Sequence, residues 1–357
     1  MQLNQVREQP GATKARTLNN AAEHEARSVE RHLDHRAAEL LPQPLFDPQG
    51  RPALRLGPVV SETDFLPPLA VADAIDQCVS GNTAGDITAE ELAANPVPYE
   101  EPERAVAACV DDVGVKKQKP RRKSGSRKPP AKEKKRVWTT VAHVQYAGAS
   151  YALTAFGVPA VLRLLSALLV ASGLQDVGLL FFTDGQRSLK DAIFDFWSAR
   201  GRVGLILDWY HLQHKCRELG SFGLKGSIAD KKVHIKALRR LLWYGLVDRA
   251  KAYIDALPPA AVRKPEVLDQ IKGYLERNRP HIPCYAVRKK LGLGCSSNPV
   301  EKQNDVLVAH RQKKNGMAWS DDGSHALSTL AAVRRNGETD NWLRDGRLMF
   351  RLPAKAA

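Results

Sequence analysis

Three apolar runs in this chain lead straight into a carboxylate, and that pattern constrains the fold more than any other feature. Residues 105–110 enter Asp111-Asp112, Phe181-Phe182-Thr183 enters Asp184-Gly185-Gln186, and Leu205-Ile206-Leu207 enters Asp208-Trp209-Tyr210-His211. A short apolar run bounded by turn residues reads as a buried strand, so each acid stands where a strand leaves the core. Asp and Asp-Gly also make turns at such places for purely local reasons. Three of them in one sheet would crowd like charges, an arrangement tolerated when hard divalent cations held by oxygen ligands neutralise it.

Periodicity orders the elements around these runs. Residues 137–146 and 151–156 read as two strands separated by Ala147-Gly148-Ala149, and Pro159 opens an apolar helix to Val170. Residues 177–182 form a strand, residues 188–199 an amphipathic helix capped by Ser188, and residues 203–207 another buried strand. The order β-β-β-α-β-α-β predicts an α/β domain, a mixed sheet flanked by helices whose last two strands are parallel. After Tyr210 the spacing turns helical, at 211–218, 231–244, 247–256 and 265–279. The expected organisation is therefore a core over 104–210, an all-helical insertion over 211–295, a return to the core over 296–345 and a tail over 346–357. Residues 1–103 read as a helical, partly disordered leader.

Composition matters chiefly through where the charge lies. The net charge of the 357 residues is +15, and residues 116–136 hold twelve Lys and Arg against the single acid Glu133. That segment alone is +11, leaving +4 (15 − 11) elsewhere. With three prolines and almost nothing apolar it cannot bury surface, so it is expected to be a mobile loop or linker. Lys116, Lys117, Lys119, Arg121, Arg122 and Lys123 form its densest part, suited to a polyphosphate backbone whose counterions they would release. No apolar run reaches the roughly 18 residues that cross a bilayer. The polar N-terminus has no export signal, so the expected location is the cytoplasm, associated with the nucleoid. Five cysteines at irregular spacing without C-x-x-C argue against a disulfide framework and against structural zinc.

A fourth acid, Glu301, follows Asn298-Pro299-Val300. Asn298 as N-cap and Pro299 at the first helical position would put Glu301 third, where it either completes a capping box or faces a site. Continued as a helix, the segment lays Glu301, Asn304, Val308 and Arg311 along one stripe, a carboxylate and a guanidinium suited to a metal site beside phosphates. Trp319 follows the basic turn Lys313-Lys314-Asn315-Gly316, a position for stacking on a base or sugar, or for packing a helix start.

Taken in order, these pieces resemble the DDE transposases of bacterial insertion sequences, in the Mutator-like branch whose catalytic domain has the ribonuclease H fold. The matching residues are Val110-Asp111-Asp112, Phe182-Thr183-Asp184-Gly185, Asp208-Trp209-Tyr210-His211 and Val300-Glu301-Lys302-Gln303-Asn304, the last leading to residues 311–320. The resemblance covers residues 104 to about 342 and implies a ribonuclease H-like mixed sheet with an all-helical insertion. It implies a metal-binding triad of Asp111, Asp184 and Glu301, with Asp112 as the alternate to Asp111 and Asp208 and His211 in support. It further implies two Mg²⁺ or Mn²⁺ ions, DNA as the partner at element ends and target, and a homo-oligomer on DNA. Lys116, Lys117, Lys119, Arg121, Arg122, Lys123, Arg311, Lys313, Lys314 and Trp319 are the expected DNA contacts. The alternative is a DNA-binding remnant, or a domesticated transposase without chemistry.

Overall fold

The apolar runs pair into one five-stranded sheet. In the computed structural model, residues 15–41, 68–97, 99, 105–118, 135–175, 177–197, 203–313 and 316–352 are described. Three helices come first, α1 (Ala15–Leu40), α2 (Pro68–Ser80) and α3 (Ala89–Ala93). Then follow β1 (Ala105–Lys116), β2 (Arg136–Tyr146), β3 (Ala149–Ala155), α4 (Val158–Ala171), β4 (Gly178–Thr183), α5 (Arg187–Trp197) and β5 (Val203–Leu207). The rest is helical: α6 (Trp209–Gly223), α7 (Ile228–Trp243), α8 (Val247–Asp255), α9 (Pro265–Asn278), α10 (Tyr285–Lys290) and α11 (Asn298–Asn304). A π-helical stretch (Asp305–Ala309), α12 (His310–Gln312), α13 (Asp321–Arg335) and α14 (Thr339–Asp345) complete it.

The strand order is β3-β2-β1-β4-β5, antiparallel within the first three strands and parallel from β1 through β4 to β5. This is the mixed α/β sheet that the element order predicts. Strands β2 and β3 close across Ala147 and Gly148, whose φ angles of 47° and 82° are both positive, as the tight hairpin turn with right-handed twist demands.

Side chains alternate along a strand, so each strand feeds two cores. Val106, Ala108 and Val110 of β1 join Ala142, Val144, Leu179 and Phe181 under α4 and α5. Cys109, Val113 and Val115 join Val137, Val141, Leu180 and Phe182 on the other face, covered by α6 to α9 and by Val300, Leu307 and Val308. The same alternation extends β1 past its expected end at Val110, because Val113 and Val115 keep pointing inward and pair through to Lys116↔Arg136. The basic segment is correspondingly shorter at both ends than the 116–136 expected, since its first and last residues belong to the ladder.

The N-terminal region is divided between the two layers rather than held apart as a leader. Val29 and Ala37 of α1 are fully buried in the first core, where Asp34 receives Arg163 of α4 at 2.7 Å. Ala74, Ile75, Cys78, Ile87 and Leu92 of α2, α3 and their connection pack instead against Cys284, Ala286 and Val287 of the helical insertion. Residues 1–14, 42–67, 98 and 100–103 of the expected leader lie outside the described residues. All five cysteines are free, and among the described residues no helix is long and apolar enough to cross a membrane.

His143 of β2 is 4% exposed in the second core, and burial, with Arg335 nearby, pushes its pKa down to about 4. An unfolded histidine titrates near 6.5, so between pH 6.5 and 4 the unfolded chain binds the extra proton and stability falls with pH. Its contribution is intact above pH 6.5 and declines towards pH 4, by on the order of 2–3 kcal/mol. In urea unfolding, His143→Gln is expected to lose that much less stability than the parent chain between pH 7 and pH 4. Parallel pH profiles for the two would refute this.

Candidate active site

Register places the acids. Strand β4 pairs with β1 as far as Cys109↔Phe182, and β5 pairs with β4 as far as Thr183↔Leu207. Continuing each parallel register sets Asp111 beside Asp184 and Asp184 beside Asp208, one row across the ends of β4 and β5. Asp111 does not end its strand, as the sequence had suggested. It lies within β1, where β4 stops and leaves that edge uncovered.

Alternation separates the two neighbouring acids. Asp111 shares the face of Cys109 and Val113, and so of Phe182 and Asp184, beneath α6 and α11. Asp112 points to the opposite face, where its carboxylate accepts the Thr140 hydroxyl. Asp111 Oδ1 accepts the Asp112 backbone N–H at 2.8 Å, and its Oδ2 accepts Asn304 Nδ2 at 2.6 Å. Burial raises the Asp111 pKa above the ordinary carboxylate range, the Asp184 and Asp112 charges raise it further, and the Asp112 N–H and His211 oppose the shift.

Asp184 begins a tight turn, with its Oδ1 accepting the Gln186 N–H at 2.7 Å. Gly185 has φ 84°, and a Cβ there would stand 2.9 Å from Leu207 Cδ1 and 3.0 Å from the Tyr274 hydroxyl, so only glycine fits. Helix α5 starts at Arg187, one residue earlier than expected. Ser188 therefore lies in the first turn and accepts the Gln186 side chain instead of capping the helix.

Asp208 is fully buried and caps α6, with Oδ1 accepting the His211 N–H at 2.8 Å. Its Oδ2 accepts both the hydroxyl of Ser297, at 2.9 Å, and the Ser297 backbone N–H. Ser297, not Asn298, is the N-cap of α11, and it makes no side-chain capping bond, so Glu301 completes no capping box. The Glu301 carboxylate instead meets His211 Nε2 at 3.1 Å. One turn along, Asn304 reaches Asp111, while its own Oδ1 is buried without a hydrogen-bond partner.

The stripe running from Glu301 to Arg311 is broken. In an unbroken helix Arg311 would fall in the buried seam of Val300, Asn304 and Val308. The π-helical turn over Asp305–Ala309 inserts about one extra residue, which brings Gln312 into the seam and leaves Arg311 in solvent. Gln312 is then held by Ser324 and Ser328 of α13.

Lys116, Arg311 and Lys313 are exposed, and Lys117 pairs with Asp321 at 2.6 Å. Trp319 is half-buried against the second core and gives its indole N–H to the Gln312 carbonyl at 3.0 Å, the packing role rather than an open stacking platform. Lys119, Arg121, Arg122, Lys123 and Lys314 lie outside the described residues.

Asp111, Asp184, Glu301 and His211 thus gather on one face, Asp208 lies beneath them as a clamp, and Asp112 is turned away. The sequence reading passed over Asn304 as a partner of Asp111 and Ser297 as a partner of Asp208. The signal for the first is its spacing, one turn beyond Glu301; nothing in the sequence points to the second. Among the described residues no three His, Cys, Asp or Glu side chains stand together as a ready ion site; Asn304 engages Asp111, and His211 engages Glu301. The donor chemistry fits a hard divalent cation all the same. Asp111 and Asp184 repel each other, and the orphaned Asn304 oxygen lies beside them. No family model, curated protein or solved structure matches the chain.

The clamp and the row of acids should respond differently to mutation. Asp208→Asn sets an amide N–H₂ against the Ser297 donors and is expected to cost about 2–4 kcal/mol in urea unfolding. Asp184→Asn keeps its turn acceptor and relieves repulsion, so its stability should stay within about 0.5 kcal/mol of the parent chain. Equal losses for the two would contradict this division of labour.

Proposed function

We propose that the protein is a DDE-type transposase that cuts and joins DNA strands for the movement of an insertion sequence. The observation that carries this reading is the convergence of Asp111 and Asp184, from two parallel strands, with Glu301, delivered to the same face by the helix that follows an all-helical insertion. The strand order β3-β2-β1-β4-β5, antiparallel in its first half and parallel in its second, supports a ribonuclease H-like reading of the sheet.

Asp111, Asp184 and Glu301 would hold the divalent ions. Once bound, such ions activate water, and then a freed 3′-hydroxyl, for attack on a phosphodiester and neutralise the charge that develops there. The chain's own residues arrange this. Asn304 fixes the rotamer of Asp111, the Gln186 N–H fixes that of Asp184, and His211 restrains Glu301 at the rim. Asp112, on the far face, takes no part. Strands β1 and β2 extend past Asp111 to Lys116 and Arg136, the described flanks of the basic segment, which supports a phosphate backbone bound near the acids.

Supercoiled plasmid incubated with Mg²⁺ or Mn²⁺ tests the reading. Nicking should fall at least about 100-fold in Asp111→Asn, Asp184→Asn and Glu301→Gln, with folding and DNA binding retained, and stay within about threefold in Asp112→Asn. Nicking that survives in both Asp184→Asn and Glu301→Gln would overturn it. Salt-sensitive binding without nicking by the parent chain would favour the DNA-binding remnant.

A further inference from the structure

Past Cys109 strand β1 has no partner in β4, β3 leaves β2 at Thr140↔Ala155, and from Val113↔Thr139 β1 and β2 run on together as a two-stranded ribbon to Lys116↔Arg136. One face of the ribbon is core, through Val113, Val115 and Val137. The other face carries Asp112, Gly114 and Lys116 opposite Thr140, Trp138 and Arg136. Trp138 is 50% exposed, a large aromatic side chain left in water on a ribbon that has a core face to offer.

Its placement is well defined. A Cβ at position 114 would come within 3.0 Å of Trp138 Cη2 and Cζ3 and 3.1 Å of Cε3, so the six-membered ring lies flat on bare glycine backbone. The Arg136 guanidinium carbon stands 5.9 Å from the ring centroid, at the outer limit of a cation–π contact. Lys116 is exposed beside it. The acid on this face, Asp112, is bonded to Thr140. The result is a half-exposed indole seated on Gly114, with the Arg136 guanidinium over part of its outer face and Lys116 paired with Arg136 across the ladder.

We propose that Trp138, with Arg136 and Lys116, is a stacking site for an unpaired base of a DNA strand, the base lying on the indole and its flanking phosphates on the two cations. The occupant follows from charge: the sequence between these two strands belongs to a segment with twelve Lys and Arg against one acid, which selects a polyanion, and the half-exposed indole selects a polyanion with unstacked bases. The choice of DNA rests on the proposed function. The stacking geometry does not, and it lies on the face of the sheet opposite to Asp111 and Asp184.

Stacking and phosphate contacts differ in salt dependence, and that difference is the test. Binding of a fluorescent oligo-dT strand and of a duplex is followed by anisotropy over a series of salt concentrations. Trp138→Ala and Trp138→Leu should weaken oligo-dT binding about tenfold at every salt concentration with an unchanged salt slope, and leave duplex binding within about twofold. Trp138→Phe should restore most of the loss. Arg136→Ala should lower the salt slope by about one contact. Trp138→Leu keeps an apolar cover on Gly114, so its thermal midpoint separates lost stacking from lost folding. Equal weakening of single strand and duplex, or Phe and Leu behaving alike, overturns the site. Plasmid nicking by the same variants keeps the two readings apart: a stacking effect without nicking by the parent chain leaves the site and removes the transposase, and the reverse result removes the site alone.

Discussion

A single buried carboxylate holds the two ends of the helical insertion together. Asp208 leaves β5 with no access to water, and such a charge is stable only if donors occupy its oxygens. It finds them in the His211 N–H at the start of α6 and in the N–H and hydroxyl of Ser297 at the start of α11. The chain departs and returns at one point, and both helices set out from it. That shared origin is why His211 and Glu301 meet, and why Asn304 arrives over Asp111. Nearby bonds reinforce the closure: Trp209 N–H to the Cys295 carbonyl at 3.0 Å, and the Tyr285 hydroxyl to the Leu207 carbonyl at 2.7 Å. Trp209, Trp243 and Tyr285 pack their rings around it.

The carboxylates above the clamp are held under opposite conditions. Asp208 has donors on both oxygens, whereas Asp111 is half-buried beside Asp184, and desolvation raises its pKa with the Asp184 charge adding to the shift. Two acids from neighbouring parallel strands face the same way because a parallel register aligns side chains of like parity. The repulsion therefore follows from the strand pairing. Where local rules are broken in this way within an otherwise consistent fold, function is the usual reason.

Much of this was legible in the residues. Each strand expected from its apolar run is present, because β-branched and aromatic runs between turn residues have few other fates, and residues 203–207 match β5 to the residue. The helices of the insertion are likewise present, each longer or shorter by a few residues. What escaped was set by packing across long distances. The extension of β1 beyond Val110 depends on β2, which lies across the basic segment. The π turn that rotates Arg311 out and Gln312 in depends on Ser324 and Ser328 waiting in α13. For Glu301 a capping box stayed open beside the site reading because its partner, His211, is remote in sequence, and α1 looked like a leader because its few buried residues have partners in α4 and α13.

The long first hairpin carries the flanks of the basic segment away from the acids along one continuous ladder. From Asp111 the ribbon runs five more residues to Lys116, about 17 Å at the rise of an extended strand. A long loop beyond it adds little closure cost, because the entropy of closure grows only with the logarithm of length. The root of that loop is fastened to the chain that follows the Glu301 helix. Trp319 N–H bonds the Lys116 carbonyl at 2.9 Å, Gln118 N–H bonds the Trp319 carbonyl at 2.8 Å, and Lys117 pairs with Asp321. Trp319 in turn holds Gln312 at the end of the π-bulged helix. The residues flanking the basic segment are therefore tied, through a few short bonds, to the helix that positions Glu301 and Asn304.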